Sequence, residues 1–335
     1  MPAAIRTIVN PRFAAELTRR RLERGLSLRD LAHVAHYSKS FLHDLESART
    51  RPTCAVAREL DAALDAGGEL AAMVVDPPPV TTLDDGDRLA YLAANPTRLD
   101  ASGVQLLATI LATQRRLDDA LPAPMMLPMC LPQWNAVHDL AAHARGPHAG
   151  ELHAIAAEWT QFVGWLYAET RNDSQAVRVL IEASREADAV NSGPLAAQAE
   201  NFRGYIERQR GNARGIVRHF LAAYHTPGAS PLQRVGDAVQ AAHGYALLGD
   251  RPAAVRLLGE ASDLTTAAES EPPPATAYWL TPTFSRMGLG LAYLALGDRG
   301  SAVDSLRTGL GALPEDQRGA EWTVEYRQAL AAVTA

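Results

Sequence analysis

The sequence predicts an all-α protein in which a small five-helix domain precedes a long array of helical hairpins. Three observations predict it. Between Leu26 and Pro52, two short runs place apolar side chains at helical spacing: Leu28, Leu31 and Ala32, then Leu42 and Leu45 with Phe41 beside them. Downstream, a pattern of small residue, aromatic, turn, alanine and large apolar residue recurs four times. Aromatics make up only 6% of the chain and alanine is abundant, which favours helices.

At 335 residues, two domains are expected, and 47% apolar residues supply a sizeable core. No apolar run approaches the roughly 18 residues of a membrane span, and the first ten residues lack the apolar region of a signal peptide. Cys54 and Cys130 stand alone, without metal or redox spacing, which fits a reducing cytoplasm. Net charge is −6, unevenly spread. Residues 1–75 carry 11 Lys+Arg against 9 Asp+Glu, giving +2, and the remainder carries 21 against 29, giving −8. A slightly basic small domain therefore precedes an acidic large one, and only the small one suits phosphates.

Residues 1–10 are expected as an N-terminal arm and 11–76 as the small domain. Asn10 caps a first helix over 11–24 with Pro11 at its first position; Phe13, Leu17 and the Arg21 stem face inward, and Gly25 ends it. Ser38 stands before the third helix as its N-cap. Thr53 begins a fourth helix through Leu60 and Leu64, Gly67-Gly68 breaks it, and 69–75 is a short fifth. Lys39, Ser40, His43 and Asp44 point away from the core on the third helix. Lys39 is the one lysine among the 32 Lys+Arg. A duplex major groove accepts such a helix, and such side chains read base edges. Asp76-Pro77-Pro78-Pro79 opens a proline-rich linker over 77–82 that favours a semi-rigid extended spacer.

The stretch around the third helix resembles the Cro/CI-like (Xre) helix-turn-helix family. The matching residues are Arg21, Leu26-Ser27, Leu31-Ala32, Ser38, Glu46 and Arg49-Thr50-Arg51-Pro52. The resemblance implies a five-helix DNA-binding domain with an Arg21–Glu46 ion pair pinning the first helix to the recognition helix. It implies base contacts from Lys39, Ser40, His43 and Asp44, and phosphate contacts from Ser38, Arg49, Thr50 and Arg51. His36 stands where the family usually has a small residue. Leu28 replaces a polar, phosphate-contacting residue of some relatives, so that contact passes to Arg29.

Residues 83–335 are expected as a sensor and dimerisation domain of tetratricopeptide-like repeats. The anchor residues are Gly164, Gly204, Ala242 and Gly290, spaced 40, 38 and 48 apart, where the usual period is about 34. Tyr167, Tyr245 and Tyr293 follow three residues later, while the second segment has Glu207 there. The turns are Asn172-Asp173, Gly211-Asn212, Gly249-Asp250 and Gly297-Asp298. Ala176 and Leu180, Ile216 and Phe220, Ala254 and Leu258, and Ala302 and Leu306 then lead the second helices. Upstream, 100–121 and 125–145 read as one more helical pair, and 315–333 as a capping helix. Such arrays curve and bind on the concave face. The inner-face positions hold Glu158, Gln161, Trp165, Gln198, Asn201, Tyr205, Arg208, His243, Phe284 and Met287, a set of amides, an arginine and aromatics suited to a peptide or small molecule.

No catalytic constellation appears: there is no G-x-S-x-G, P-loop, HEXXH or cysteine cluster. An enzyme, a cofactor and a metal are not expected. His138, His143, His148 and His153 recur every five residues, which turns neighbours about 140° apart on a helix, and His33 and His36 lack a third ligand. The whole layout looks like the helix-turn-helix plus tetratricopeptide regulators typical of actinobacteria, and is similar to the peptide-sensing quorum regulators of Gram-positive bacteria. That resemblance implies a cytoplasmic homodimer on a palindromic operator, controlled by a peptide or small-molecule signal. The alternative is a helical-repeat interaction scaffold with a weak or vestigial DNA-binding head.

Overall fold

Short apolar periods and well-formed caps give the first unit its helices. The computed structural model describes residues 8–10, 12–75, 83–269, 273, 278–314 and 317–334. The chain divides into two compact units, Met1–Val80 and Thr81–Ala335. The expected arm over 1–7, Pro11, the linker over 77–82 and most of the 272–274 prolines lie outside the described residues.

In the first unit, α1 (Phe13–Glu23) buries Phe13, Leu17 and Arg21 at four-residue spacing. The Asn10 carboxamide accepts from the Arg12 N–H at 2.9 Å, just ahead of the helix. α2 (Leu28–Val34) opens with a capping box between Ser27 and Asp30. α3 (Lys39–Glu46) is capped by Ser38, whose hydroxyl accepts from the Phe41 N–H at 3.2 Å. His36 makes the turn between them in the left-handed region, φ 56°, a conformation that a side chain disfavours and glycine does not. α4 (Cys54–Leu64) and α5 (Glu69–Ala72) follow. Leu31, Leu42, Leu45, Leu60, Leu64 and Leu70 close the core with Phe13 and Leu17.

Two details differ from expectation. The fifth helix stops at Ala72, and Val74–Val75 forms a strand, β2, antiparallel to β1 (Ile8–Val9). Four β-branched residues in two pairs favour that ladder over another helical turn. The end of the expected arm is thereby built into the unit. Arg20 is held in ion pairs to Glu16 and Glu69. Buried Asp61 accepts from the N–H groups of Gly68, Leu70 and Ala71 at 2.7, 2.7 and 3.1 Å, so α4 caps α5.

The second unit begins with α6 (Leu83–Ala94), which sequence reasoning missed among its acidic residues. α7 (Ala101–Asp118) and α8 (Ala123–His143) precede four hairpins. These are α9 (Ala149–Glu169) with α10 (Asp173–Ala189), α11 (Gly193–Gln209) with α12 (Ala213–His225), α13 (Pro231–Leu247) with α14 (Arg251–Glu269), and α15 (Pro282–Ala295) with α16 (Arg299–Gly311). α17 (Val324–Thr334) closes the unit. The turns repeat one geometry: a left-handed residue, Arg171, Gly211, Gly249 or Gly297, then Asn or Asp. The small residues serve close approach. A Cβ added at Gly164, Gly204 or Gly290 would lie 2.6, 2.7 or 2.5 Å from Leu180, Phe220 or Leu306 of the second helix. In the third hairpin Leu257, rather than Leu258, is the fully buried leucine. Among the described residues no helix is long and apolar enough to cross a membrane.

Candidate nucleic-acid interface and ligand pocket

Two sites emerge, one in each unit. In the first, α3 turns Leu42 and Leu45 inward, leaving Lys39, Ser40 and His43 exposed on the opposite face. Asp44 is half-buried, and its carboxylate lies 3.9 Å from the Arg49 guanidinium. Arg29, Ser38, Arg49, Thr50 and Arg51 are exposed around the helix. The Ser38 hydroxyl is already engaged as the cap and sits 3.1 Å from the Ser40 hydroxyl. Behind this face Arg21 grips Glu46 through both carboxylate oxygens, Nε to Oε1 at 2.6 Å and a terminal N–H to Oε2 at 2.9 Å. A third arginine N–H reaches the Leu26 carbonyl at 2.8 Å. Bidentate geometry fixes orientation as well as distance, so the helix that presents Lys39 is fastened to α1.

In the second unit, a pocket with about 790 Å³ of atom-free space, its open mouth included, lies along the first helices of the hairpins. Of the inner-face residues expected there, Trp165, Asn201, Tyr205, Arg208 and Phe284 line it. Glu158 stands behind it, 3.2 Å from Arg115. Gln161, Gln198, His243 and Met287 are instead buried outside the lining. Gln161 donates to the Leu195 carbonyl at 3.1 Å and accepts from Arg115 at 3.0 Å, tying neighbouring helices together. Gln198 donates to Asn201 at 3.4 Å. Met287 packs into the space left by Gly309 on α16.

Sequence reasoning missed most of the walls. α7 and its C-cap supply Arg115, Asp118 and Asp119, the segment before α15 supplies Tyr278, Trp279 and Leu280, and the last turns supply Trp322 and Tyr326. These segments are latched together. The Tyr278 hydroxyl donates to Asp119 at 2.7 Å, and Gln317 donates to the same carboxylate at 3.2 Å. Glu325 of α17 lies 3.0 Å from Arg208 of α11. One signal in the sequence pointed here: aromatics are scarce, yet Tyr278-Trp279, Phe284, Trp322 and Tyr326 crowd the last sixty residues.

The charges inside are shaped by burial. Desolvation pushes Asp118 up to about 7, against the hydrogen bond from Trp165. It pushes Glu169 up to about 7, against the bond from the Tyr205 hydroxyl at 2.5 Å. Asp237 is pushed up to about 8, against its one bond from Asn201. His243 is driven down to about 3 by burial and by the Arg208 charge. The guanidinium carbon of Arg208 sits 5.4 Å from the Tyr205 ring centre and 5.7 Å from that of Tyr326. That of Arg115 sits 5.2 Å from Phe162. The arrangement is an aromatic chamber with built-in ion pairs, suited to binding a small ligand.

Over 96% of its length the chain is similar to 98% of the chain in the crystal structure of Bacillus thuringiensis PlcR in complex with the peptide PapR7 and DNA, at 11% identity and a TM-score of 0.39. No curated protein matches the sequence. Residues 12–73, within the first unit, match the family model described as a helix-turn-helix domain.

Proposed function

We propose that the chain is a sequence-specific transcriptional regulator whose helical-repeat unit binds a signal that controls DNA binding. The observation that carries the reading is the exposed Lys39–Ser40–His43 face of α3, fastened from behind by Arg21 and Glu46 within a helix-turn-helix domain. α3 enters the major groove, with Lys39, Ser40, His43 and Asp44 at base edges. Arg29, Ser38, Arg49, Thr50 and Arg51 flank the phosphates. One such helix reads only a few base pairs, so the chain acts as a homodimer on a palindrome with half-sites about 34 Å apart.

Capture of sheared genomic DNA by the purified protein at about 150 mM salt, an ionic strength that suppresses much nonspecific binding, tests the reading. A palindromic motif with half-sites one helical turn apart supports it. Uniform, salt-labile recovery without a motif would instead favour an interaction scaffold. Residue roles are separable in the same assay. Lys39→Ala is expected to relax preference at its base by about 1–3 kcal/mol, whereas equal loss on every sequence would remove it from the base-reading set. Arg51→Ala is expected to weaken binding to all sequences and reduce the log–log salt slope by about one. An unchanged slope would end its phosphate role.

A further inference from the structure

The pocket answers its own charges. Its lining sets two arginines, Arg115 and Arg208, against two aspartates, Asp118 and Asp119. Glu158 lies 3.2 Å from Arg115, and Glu325 lies 3.0 Å from Arg208. Asp118 accepts from Trp165 Nε1 at 2.8 Å and feels the Arg115 charge. Asp119 accepts from the Tyr278 hydroxyl and from Gln317 at 2.7 and 3.2 Å, and feels the Arg116 charge. An anionic ligand would have to draw a guanidinium away from its carboxylate. A cationic one would have to draw a carboxylate away from its donors. A charge stripped of water that gains no counter-ion costs free energy, and an uncharged ligand avoids that cost.

The ring faces divide in the same way. Faces of aromatic rings attract cations, and several here already hold the protein's own. The guanidinium carbon of Arg208 lies 5.4 Å from the Tyr205 ring centre, that of Arg116 3.7 Å from Tyr278, and that of Arg115 5.9 Å from Trp279. Among the described residues no guanidinium stands over Trp165, Phe284 or Trp322. All three are half-buried and line the pocket. The ring centres of Phe284 and Trp322 are 5.6 Å apart. Part-exposed rings in a concave wall offer contact to a flat apolar body.

One polar group is left to the ligand. Trp279 is half-buried in the lining, and its indole N–H makes no hydrogen bond among the described residues. Nor is that N–H among the polar atoms sealed in the interior without a partner. An indole N–H can only donate, so it calls for an acceptor. We infer that the pocket takes a compact uncharged molecule, a flat ring body bearing a carbonyl, with Trp165, Phe284 and Trp322 against the rings and Trp279 donating to the carbonyl oxygen. This inference rests on the signal-binding reading above and names the chemistry of the signal.

Calorimetry on the full chain with indole-3-acetamide, indole-3-acetate and tryptamine tests it, since the three share one ring body and differ in charge. The amide is expected to bind at least about tenfold tighter than either ion at pH 7. Trp279→Phe keeps a ring and removes the donor, so it should weaken the amide about fivefold. The same variant should bind 3-methylindole, which lacks the carbonyl, as the parent does. Equal or tighter binding of either ion would overturn the uncharged class while leaving a signal-binding pocket. No binding of the amide at millimolar concentration would overturn it as well. An equal loss of amide and 3-methylindole in Trp279→Phe, or no loss of either, would overturn the donor role of Trp279. DNA capture repeated with the amide judges the underlying reading separately. An amide that binds yet leaves DNA recovery unchanged would keep the ligand chemistry and remove the control of DNA binding.

Discussion

Replacing Arg21 by alanine is expected to destabilise the first unit by about 3 kcal/mol and to weaken DNA binding in step. The side chains of Arg21 and Glu46 are only 11% and 10% exposed, so their loss of water is nearly complete. Removing the guanidinium leaves a carboxylate largely buried at the end of α3 without its partner. It also strips the Leu26 carbonyl of a donor held at 2.8 Å. Both losses fall on the fastening between α1 and the helix that presents Lys39. Removing both charges at once, as Arg21→Met with Glu46→Leu, should recover most of the stability, because no charge is then left buried alone. Fluorescence cannot follow this unit: Trp134, Trp159, Trp165, Trp279 and Trp322, the chain's five tryptophans, all belong to the second. Amide hydrogen exchange in α1 and α3 can. Parent-like protection in Arg21→Ala would show that the pair contributes orientation without stability.

What could be read from the sequence was what neighbours within a few residues decide. The helix pair around Ser38 followed from apolar spacing and one hydroxyl placed to cap. The hairpin turns followed from Asn-Asp, Gly-Asn and Gly-Asp pairs, and the small anchor residues from their fixed distance to the turns. Chain reversal at His36 was legible as a departure, and the structure shows that the side chain is accommodated in the left-handed region. What was hidden depended on contacts between distant segments. Nothing local tells that Ile8–Val9 meets Val74–Val75. Nothing local tells that Arg20 finds Glu69. The inner-face rule selected five residues that line the pocket because the first helices of the hairpins do face it. The same rule could not separate Phe284 from Met287, one helical turn apart. Gly309 on the partner helix opens a hole that Met287 fills, and Phe284 is left at the pocket wall. The opposite wall comes from α7 and the last turns, brought in by tertiary closure that no periodicity records.

Between pH 8 and pH 6 the second unit is expected to become more stable, and Asp237→Asn is expected to remove much of that gain. Asp237 is 1% exposed on α13 and accepts a single hydrogen bond, from Asn201 at 2.5 Å. Burial raises its folded-state value to about 8, far above the ordinary 3.8. Between those two values the folded chain holds a proton that the unfolded chain releases, so stability falls as pH rises from about 4 to about 8 and then levels. Asp118 and Glu169 act in the same direction, ending near 7. His243 opposes them: held down to about 3, it refuses a proton that the unfolded chain accepts below about 6.5, so its share of stability is lost as pH falls through that window. At pH 8 the carboxylate is a burden of several kcal/mol by order of magnitude, and the asparagine carries none of it. Its amide oxygen still accepts from Asn201, so the pocket wall keeps its geometry. Urea unfolding followed by tryptophan fluorescence reports this unit directly. The variant should exceed the parent by several kcal/mol at pH 8 and match it near pH 4, where both side chains are neutral. A parent that is no less stable at pH 8 than at pH 6 would mean that burial does not hold the proton on Asp237 within the fold.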